Sequence, residues 1–139
     1  MNSKQLYKVA IATYFISLIF PVWIVKGNNP IYGLEALLIG WLAVLMLDPR
    51  WFCNLALIYS TNCVFKKFNK IQLKRTFILA AVGATVILGP FHGGLSLGSF
   101  DLFEGKGLAL GGYLWVISLW LFAFSAKIKS TEIENKKDF

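Results

Sequence analysis

The sequence predicts an all-α integral membrane protein, and three observations carry that expectation. The chain is 57% hydrophobic and only 15% charged, whereas a soluble domain is about 45–50% apolar and about 25% charged. Its charges fall in short strips rather than along its whole length. Between the strips run apolar segments near the length of a bilayer crossing. A soluble unit of 139 residues has too little interior to hide that much apolar surface. Lipid removes the need to hide it.

The first apolar run is Val9–Val25, between Lys8 and Lys26. Its 17 residues would rise about 25 Å as a helix, the short end of a crossing. A basic start and an apolar core also describe a signal peptide. No small-x-small cleavage site follows, because Phe20-Pro21-Val22-Trp23 is bulky and Lys26-Gly27-Asn28-Asn29-Pro30 is a turn. The run reads as an uncleaved first helix. The next stretch, Ile31–Phe65, is broken at Asp48-Pro49-Arg50. Proline disfavours the helical conformation in the residue before it and suits the first turn of a new helix. Asp48 is a good cap for that new helix. Two helices are therefore expected, Gly33–Leu47 and Trp51–Phe65, each about 22 Å long and short for a crossing.

A basic strip follows, with Lys66, Lys67, Lys70, Lys74 and Arg75 and no acid. These residues are read as topology determinants and contacts to lipid headgroups. Thr76–Phe91 is the next helix, ended at Gly89-Pro90. His92 through Lys106 is glycine-rich and carries Asp101 and Glu104, so it reads as a loop. Gly107–Ala126 is the last helix and holds no charge. Residues 1–126 are thus expected to form a single helical membrane domain. Residues 127–139, with four lysines and three acids, are expected to be a solvated, mobile cytoplasmic tail.

Five apolar segments and the charge pattern disagree about topology. With five crossings, Lys4 and Lys8 fall on the opposite side from the Lys66–Arg75 strip. If the chain between Lys26 and Lys66 crosses once, both strips and the lysine-rich tail lie in the cytoplasm. The expected architecture is four transmembrane helices plus one short re-entrant or embedded helix, Gly33–Leu47, with five transmembrane helices as the alternative. Re-entrant backbone is tolerated where protein covers it. The location this implies is a bacterial inner membrane, multi-pass, with the N- and C-termini cytoplasmic.

Few residues point to chemistry. Glu35 is the one carboxylate inside an apolar segment, and a charge near a helix start in a membrane is either an anchor favoured by the helix dipole or a site. Lys26 and His92 are its candidate partners. His92 is the single histidine, too few ligands for a metal centre. Asp48 and Arg50 read as cap and interface anchor. Cys53 and Cys63 lie about 15 Å apart along a helix, too far for a disulfide, and no CxxC pair suggests zinc. Gly107 and Gly111 form a small-xxx-small pair that would let helices approach closely. Trp23, Trp41, Trp51, Trp115, Tyr7, Tyr32 and Tyr113 sit near segment ends and suggest an aromatic belt. Thr13, Ser17, Ser60, Asn62 and Thr85 form no stripe that would line a pathway. No hydrolase, metalloprotease or nucleotide-binding motif occurs, so no enzyme activity, metal or cofactor is expected. The net charge of +7 is confined to the strips, which argues for a membrane surface and against nucleic acid.

One pattern goes further. Gly33-Leu34-Glu35-Ala36-Leu37-Leu38-Ile39-Gly40-Trp41-Leu42, with Trp51 and Asn54 after it, resembles a G-x-E-A-x-x-x-G-W segment of small bacterial multi-pass membrane proteins for which no activity is established. Gly112-Tyr113-Leu114-Trp115-Val116-Ile117-Ser118 is similar to the G-Y-x-L-W-x-x-S helix that closes those proteins. The aromatic-Ala-Asn-Pro turn usual in that group reads Trp51-Phe52-Cys53-Asn54-Leu55 here, so the turn is altered. The resemblance implies that Glu35 and Trp41 belong to a shared scaffold or site. The function expected is non-enzymatic: binding of another membrane component or of a second copy, as an immunity protein or accessory subunit would. A small oligomeric transporter or channel, with Glu35 on a polar pathway, and a membrane-disrupting defence effector are the alternatives.

Overall fold

The structure is a computed structural model that describes residues 2–25, 29–39, 53–55, 57–59, 70–88 and 105–135. It is mostly helical. Helix α1 spans Ser3–Ile19, α2 Gly33–Ile39, α3 Lys70–Leu88 and α4 Leu110–Asn135, and residues 53–55 and 57–59 are helical as well. Three short strands join them: β1, Pro21–Val25; β2, Pro30–Tyr32; and β3, Gly105–Leu108.

The sheet corrects the all-α expectation, and the local chemistry explains it. Helix α1 stops at Ile19, not at Val25. Phe20 precedes Pro21 and is forced out of the helical region, to φ −94° and ψ 155°. Val22, Trp23, Ile24 and Val25 are then branched or aromatic residues that favour a strand. Strand β2 pairs antiparallel with β1, Trp23 opposite Ile31 and Ile24 opposite Pro30; most of the expected Lys26–Pro30 turn lies outside the described residues. On the other edge of β1, β3 pairs antiparallel, with Trp23 opposite Leu108 and Ile24 opposite Gly107. The order is β2-β1-β3.

Three further boundaries move. Helix α3 begins at Lys70, six residues before the expected Thr76, and takes Lys74 and Arg75 into its first turns. Helix α4 begins at Leu110 and runs unbroken to Asn135. Residues 127–135, expected as a mobile tail, are therefore helix. The expected Gly33–Leu47 helix is described only as α2, to Ile39; its remainder and the Asp48-Pro49-Arg50 turn lie outside the described residues.

Helix α4 is the centre of the molecule, with α1 and α3 packed along it. Ser125 reaches Ser3, and Gly111 lies against Ser17 and Phe20, so α1 and α4 are antiparallel. Leu73, near the start of α3, packs on Ala126, which sets α3 antiparallel to α4. Helical residues 53–55 and 57–59 run the other way from α1 and α3: Asn54 meets Tyr14 and Cys53 meets Gly83, while Tyr59 lies with Leu73 and Ala126. One end of the molecule thus gathers the starts of α1 and α3 and the last turns of α4. The sheet and the start of α2 occupy the other end.

The core holds Tyr7, Ala10 and Tyr14 of α1, Ala80, Ala84 and Ile87 of α3, and Trp115, Leu119, Phe122 and Ala123 of α4, with Ala36, Cys53 and Leu57. Alanine at these crossings lets the backbones approach closely. Tyr7 packs edge-on to Phe122 at 5.3 Å, and Trp115 lies 6.3 Å from Tyr14 and 6.1 Å from Trp23. Tyr7 and Trp115 are therefore core residues and leave the expected aromatic belt, whereas Tyr32 and Tyr113 are exposed at the sheet end. Among the described residues one helix, α4, is long and apolar enough to cross a membrane.

Candidate functional site

Glu35 sits in the first turn of α2, exposed, three residues beyond Tyr32. Its carboxylate accepts the backbone N–H of Tyr32 at 3.0 Å. An acid at this position reaches back to the donor that the helix start leaves without a partner, and the helix dipole favours its charge. The arrangement is that of a helix anchor. Trp41 and His92, and with them any pairing of Glu35 with His92 or Lys26, lie outside the described residues.

The basic strip is described in part. Lys66 and Lys67 lie outside the described residues, Lys70 opens α3, and Lys74 and Arg75 are exposed on it. They share their end of the molecule with Lys4 and Lys8 of α1 and Lys127 of α4, all exposed.

The glycine pair resolves differently from its spacing. Gly107 lies in β3 and Gly111 in α4, so no single helix face carries both. The close approach belongs to Gly111 and its neighbour Gly112. A Cβ on Gly111 would stand 2.7 Å from the Phe20 carbonyl oxygen, 2.8 Å from that of Pro21 and 2.9 Å from that of Ser17. On Gly112 it would stand 2.7 Å from the Val22 oxygen. Gly33 is held as tightly, its N–H donating to the Phe20 oxygen at 3.0 Å. The corner at Phe20–Val22 is therefore where α1, α2, β1 and α4 are joined, and only residues without a side chain fit around it.

A polar seam inside the bundle was not foreseen. Tyr14 donates to Asn54 Oδ1 at 3.2 Å across two helical segments. Ser17 and Ser118 are buried beside their own helices and donate to the Tyr14 and Trp115 carbonyls at 2.6 and 2.7 Å. Asn54 Nδ2 and Trp115 Nε1, on residues 3% and 2% exposed, find no acceptor among the described residues. Thr13 and Thr85 satisfy their hydroxyls on Val9 and Val82 of their own helices, a local closure open to any helical threonine. Ser60 and Asn62 lie outside the described residues. Cys53 is buried and free of disulfide, its thiol donating to the Gly83 oxygen at 3.1 Å. Among the described residues no three His, Cys, Asp or Glu side chains gather to hold a metal ion.

A second unforeseen contact closes the basic end. Glu132 accepts both the Ser3 N–H at 3.1 Å and the Ser3 hydroxyl at 2.7 Å, and Ser125 donates to the Ser3 oxygen at 2.9 Å. A carboxylate thus caps the positive start of α1 from the far end of the chain, adding to the Asn2–Gln5 capping box. No sequence signal pairs residues 129 positions apart.

These features define a mostly helical protein with a polar seam inside and apolar side chains outside. In comparisons with known proteins, no family model, no curated protein and no solved structure matches the chain.

Proposed function

We propose that the chain is a multi-pass protein of a bacterial inner membrane, crossing four times, and that it works without catalysis by binding another membrane component. An immunity protein or an accessory subunit would act in this way. The observation that carries the reading is an inverted polarity. Hydroxyls and an amide are buried: Ser17, Asn54, Thr76, Ser118 and Ser125. Large apolar side chains cover the outside of every long helix, including Phe15 and Ile16 of α1, Ile78, Leu79 and Val82 of α3, and Ile117 and Phe124 of α4. Water penalises an apolar exterior of that extent, and lipid does not. Lys4, Lys8, Lys70, Lys74, Arg75 and Lys127 gather at one end, and the exposed Tyr32 and Tyr113 lie with the sheet at the other, which suits the two interfaces of a bilayer.

Single-cysteine labelling of the full chain, with Cys53 and Cys63 replaced, tests this. Probes at Lys4, Lys74 and Lys127 are expected to react from the cytoplasmic side, and a probe at Asn29 from the outside. Labelling of Lys4 and Lys74 from opposite sides would refute four crossings. Extraction of the protein by alkaline carbonate would refute the membrane reading itself. Photo-crosslinkers at Phe15 and Ile78, on lipid-facing or partner-facing positions, then report the partner.

A transport reading draws on two buried N–H groups, on Asn54 and Trp115, that find no acceptor among the described residues. It predicts flux through reconstituted vesicles that Asn54→Leu abolishes.

A further inference from the structure

We infer that the basic end of the helices is a built docking surface for anionic phospholipid headgroups, with cations of three helices brought to one level. The inference rests on the membrane reading above and adds the partner at that end.

Two contacts set the level. Ser125 holds Ser3, and Leu73 packs on Ala126. The next residue in each case is an exposed cation: Lys4 on α1, Lys74 on α3 and Lys127 on α4. These three lie far apart in sequence, so no local pattern places them together; antiparallel packing on α4 does. Arg75 extends the level around α3, and Lys8 lies one turn below Lys4 on the same face of α1. Long basic side chains bury their stems in apolar surroundings while the head stays at the polar boundary, so Lys8 also reaches it.

The composition of the level selects its occupant. Immediately toward the sheet the outer surface is apolar, with Val9 on α1, Ile78 and Leu79 on α3 and Phe124 on α4. A ring of cations above an apolar wall matches a phosphate layer above acyl chains. Of the acids of α4, Glu132 accepts the N–H and hydroxyl of Ser3. Among the described residues no carboxylate pairs with Lys4, Lys8, Lys74, Arg75 or Lys127. The sheet end carries Glu35, exposed at the start of α2, and Lys106 of β3, so the larger group of described cations lies at the opposite end.

The full-length protein in nanodiscs of phosphatidylcholine with a minority of phosphatidylglycerol provides the test. Electron spin resonance of spin-labelled lipids reads the fraction of each held at the protein. Wild type is expected to enrich phosphatidylglycerol over phosphatidylcholine, with each cation near the surface worth about fivefold at low salt. The variant Lys4→Gln/Lys74→Gln/Lys127→Gln is expected to lose most of that preference and still insert. If that variant fails to insert, the wild type alone decides: raising salt from 0.05 to 0.5 M must remove the preference. A wild type that inserts without preferring phosphatidylglycerol, or a triple variant that keeps the preference, would overturn the inference. Release of the bound lipid by millimolar inorganic phosphate, or by duplex DNA, would assign the surface to a soluble anion and overturn it as well. Failure of wild type to insert at all would instead remove the membrane reading beneath it.

Discussion

Gly111→Ala tests whether the corner at Phe20–Val22 organises the fold. The added methyl would meet three carbonyl oxygens at 2.7–2.9 Å, inside any ordinary carbon–oxygen contact. All three belong to backbone at the end of α1 and the start of β1, so no side chain can swing aside. Overpacking of this kind costs about 3 kcal/mol, the upper part of its usual range. Alanine returns at most about 1 kcal/mol of helix propensity, and less near a helix start. The net loss is about 2 kcal/mol, or about 8 °C of melting temperature for a chain of this size. Gly83→Ala is the control, because it changes the same atoms on another helix. Its methyl would meet Cys53 at 3.6–3.7 Å, an ordinary contact, so the propensity term acts alone and the melting temperature rises by about 4 °C. Thermal unfolding of both variants in one detergent, followed by circular dichroism, reads the difference. Equal shifts of the same sign, or a neutral Gly111→Ala, would refute the reasoning, since they would mean that α4 does not rest on that corner.

Three further outcomes follow from the contacts described. Glu132→Gln leaves one acceptor for Ser3 where the carboxylate offers two, so trypsin should cut after Lys127 and Lys129 severalfold faster while the stability falls by about 1 kcal/mol or less. Tyr14→Phe and Asn54→Leu should each destabilise the protein, and together by less than their sum; the coupling expected for such a pair in a membrane is about 0.6 kcal/mol, with about 1.7 as the upper end. Glu35→Gln, which removes a charge from the start of α2 but keeps an acceptor for Tyr32, should cost about 0.5 kcal/mol and leave single-cysteine labelling unchanged; loss of protein or reversed labelling would give Glu35 a larger part than an anchor.

The apolar segments and their charged borders were legible in the sequence. The end of α1 was legible as well, because the rule that divided the chain at Asp48-Pro49 applies with equal force at Phe20-Pro21. Strand β3 was not. Gly105-Lys106-Gly107-Leu108 has little intrinsic preference for a strand, and it is one because β1 offers it an edge. Residues 127–135 also concealed their state. Their lysines and glutamates read as a solvated tail, whereas they continue α4 and Glu132 among them meets Ser3 at the other end of the chain. Of the site residues, Glu35 could be placed from its distance to Tyr32 and the helix start. The seam of Tyr14, Asn54 and Trp115 could not, since its members lie in three segments and no local spacing pairs them.

On helix α3, small residues rather than hydropathy mark much of the inward face. Helix α3 is apolar all round beyond Arg75, so its hydrophobic pattern names no face. Its small residues do: Ala80, Gly83 and Ala84 are buried at helical spacing, while Ile78, Leu79 and Val82 point outward. Helix α4 buries large and small residues alike, with Trp115, Leu119 and Phe122 inside beside Gly111, Gly112, Ser118, Ala123, Ser125 and Ala126, and Ile117 and Phe124 outside. A larger apolar side chain gains more from burial in water, and Leu73, Ile87, Leu119 and Phe122 follow that preference. Small inward residues let backbones and hydroxyls come close, and outward isoleucines cost nothing against lipid. What supports the proposed membrane reading is therefore the outward apolar side chains and the buried hydroxyls taken together, not a sorting by size.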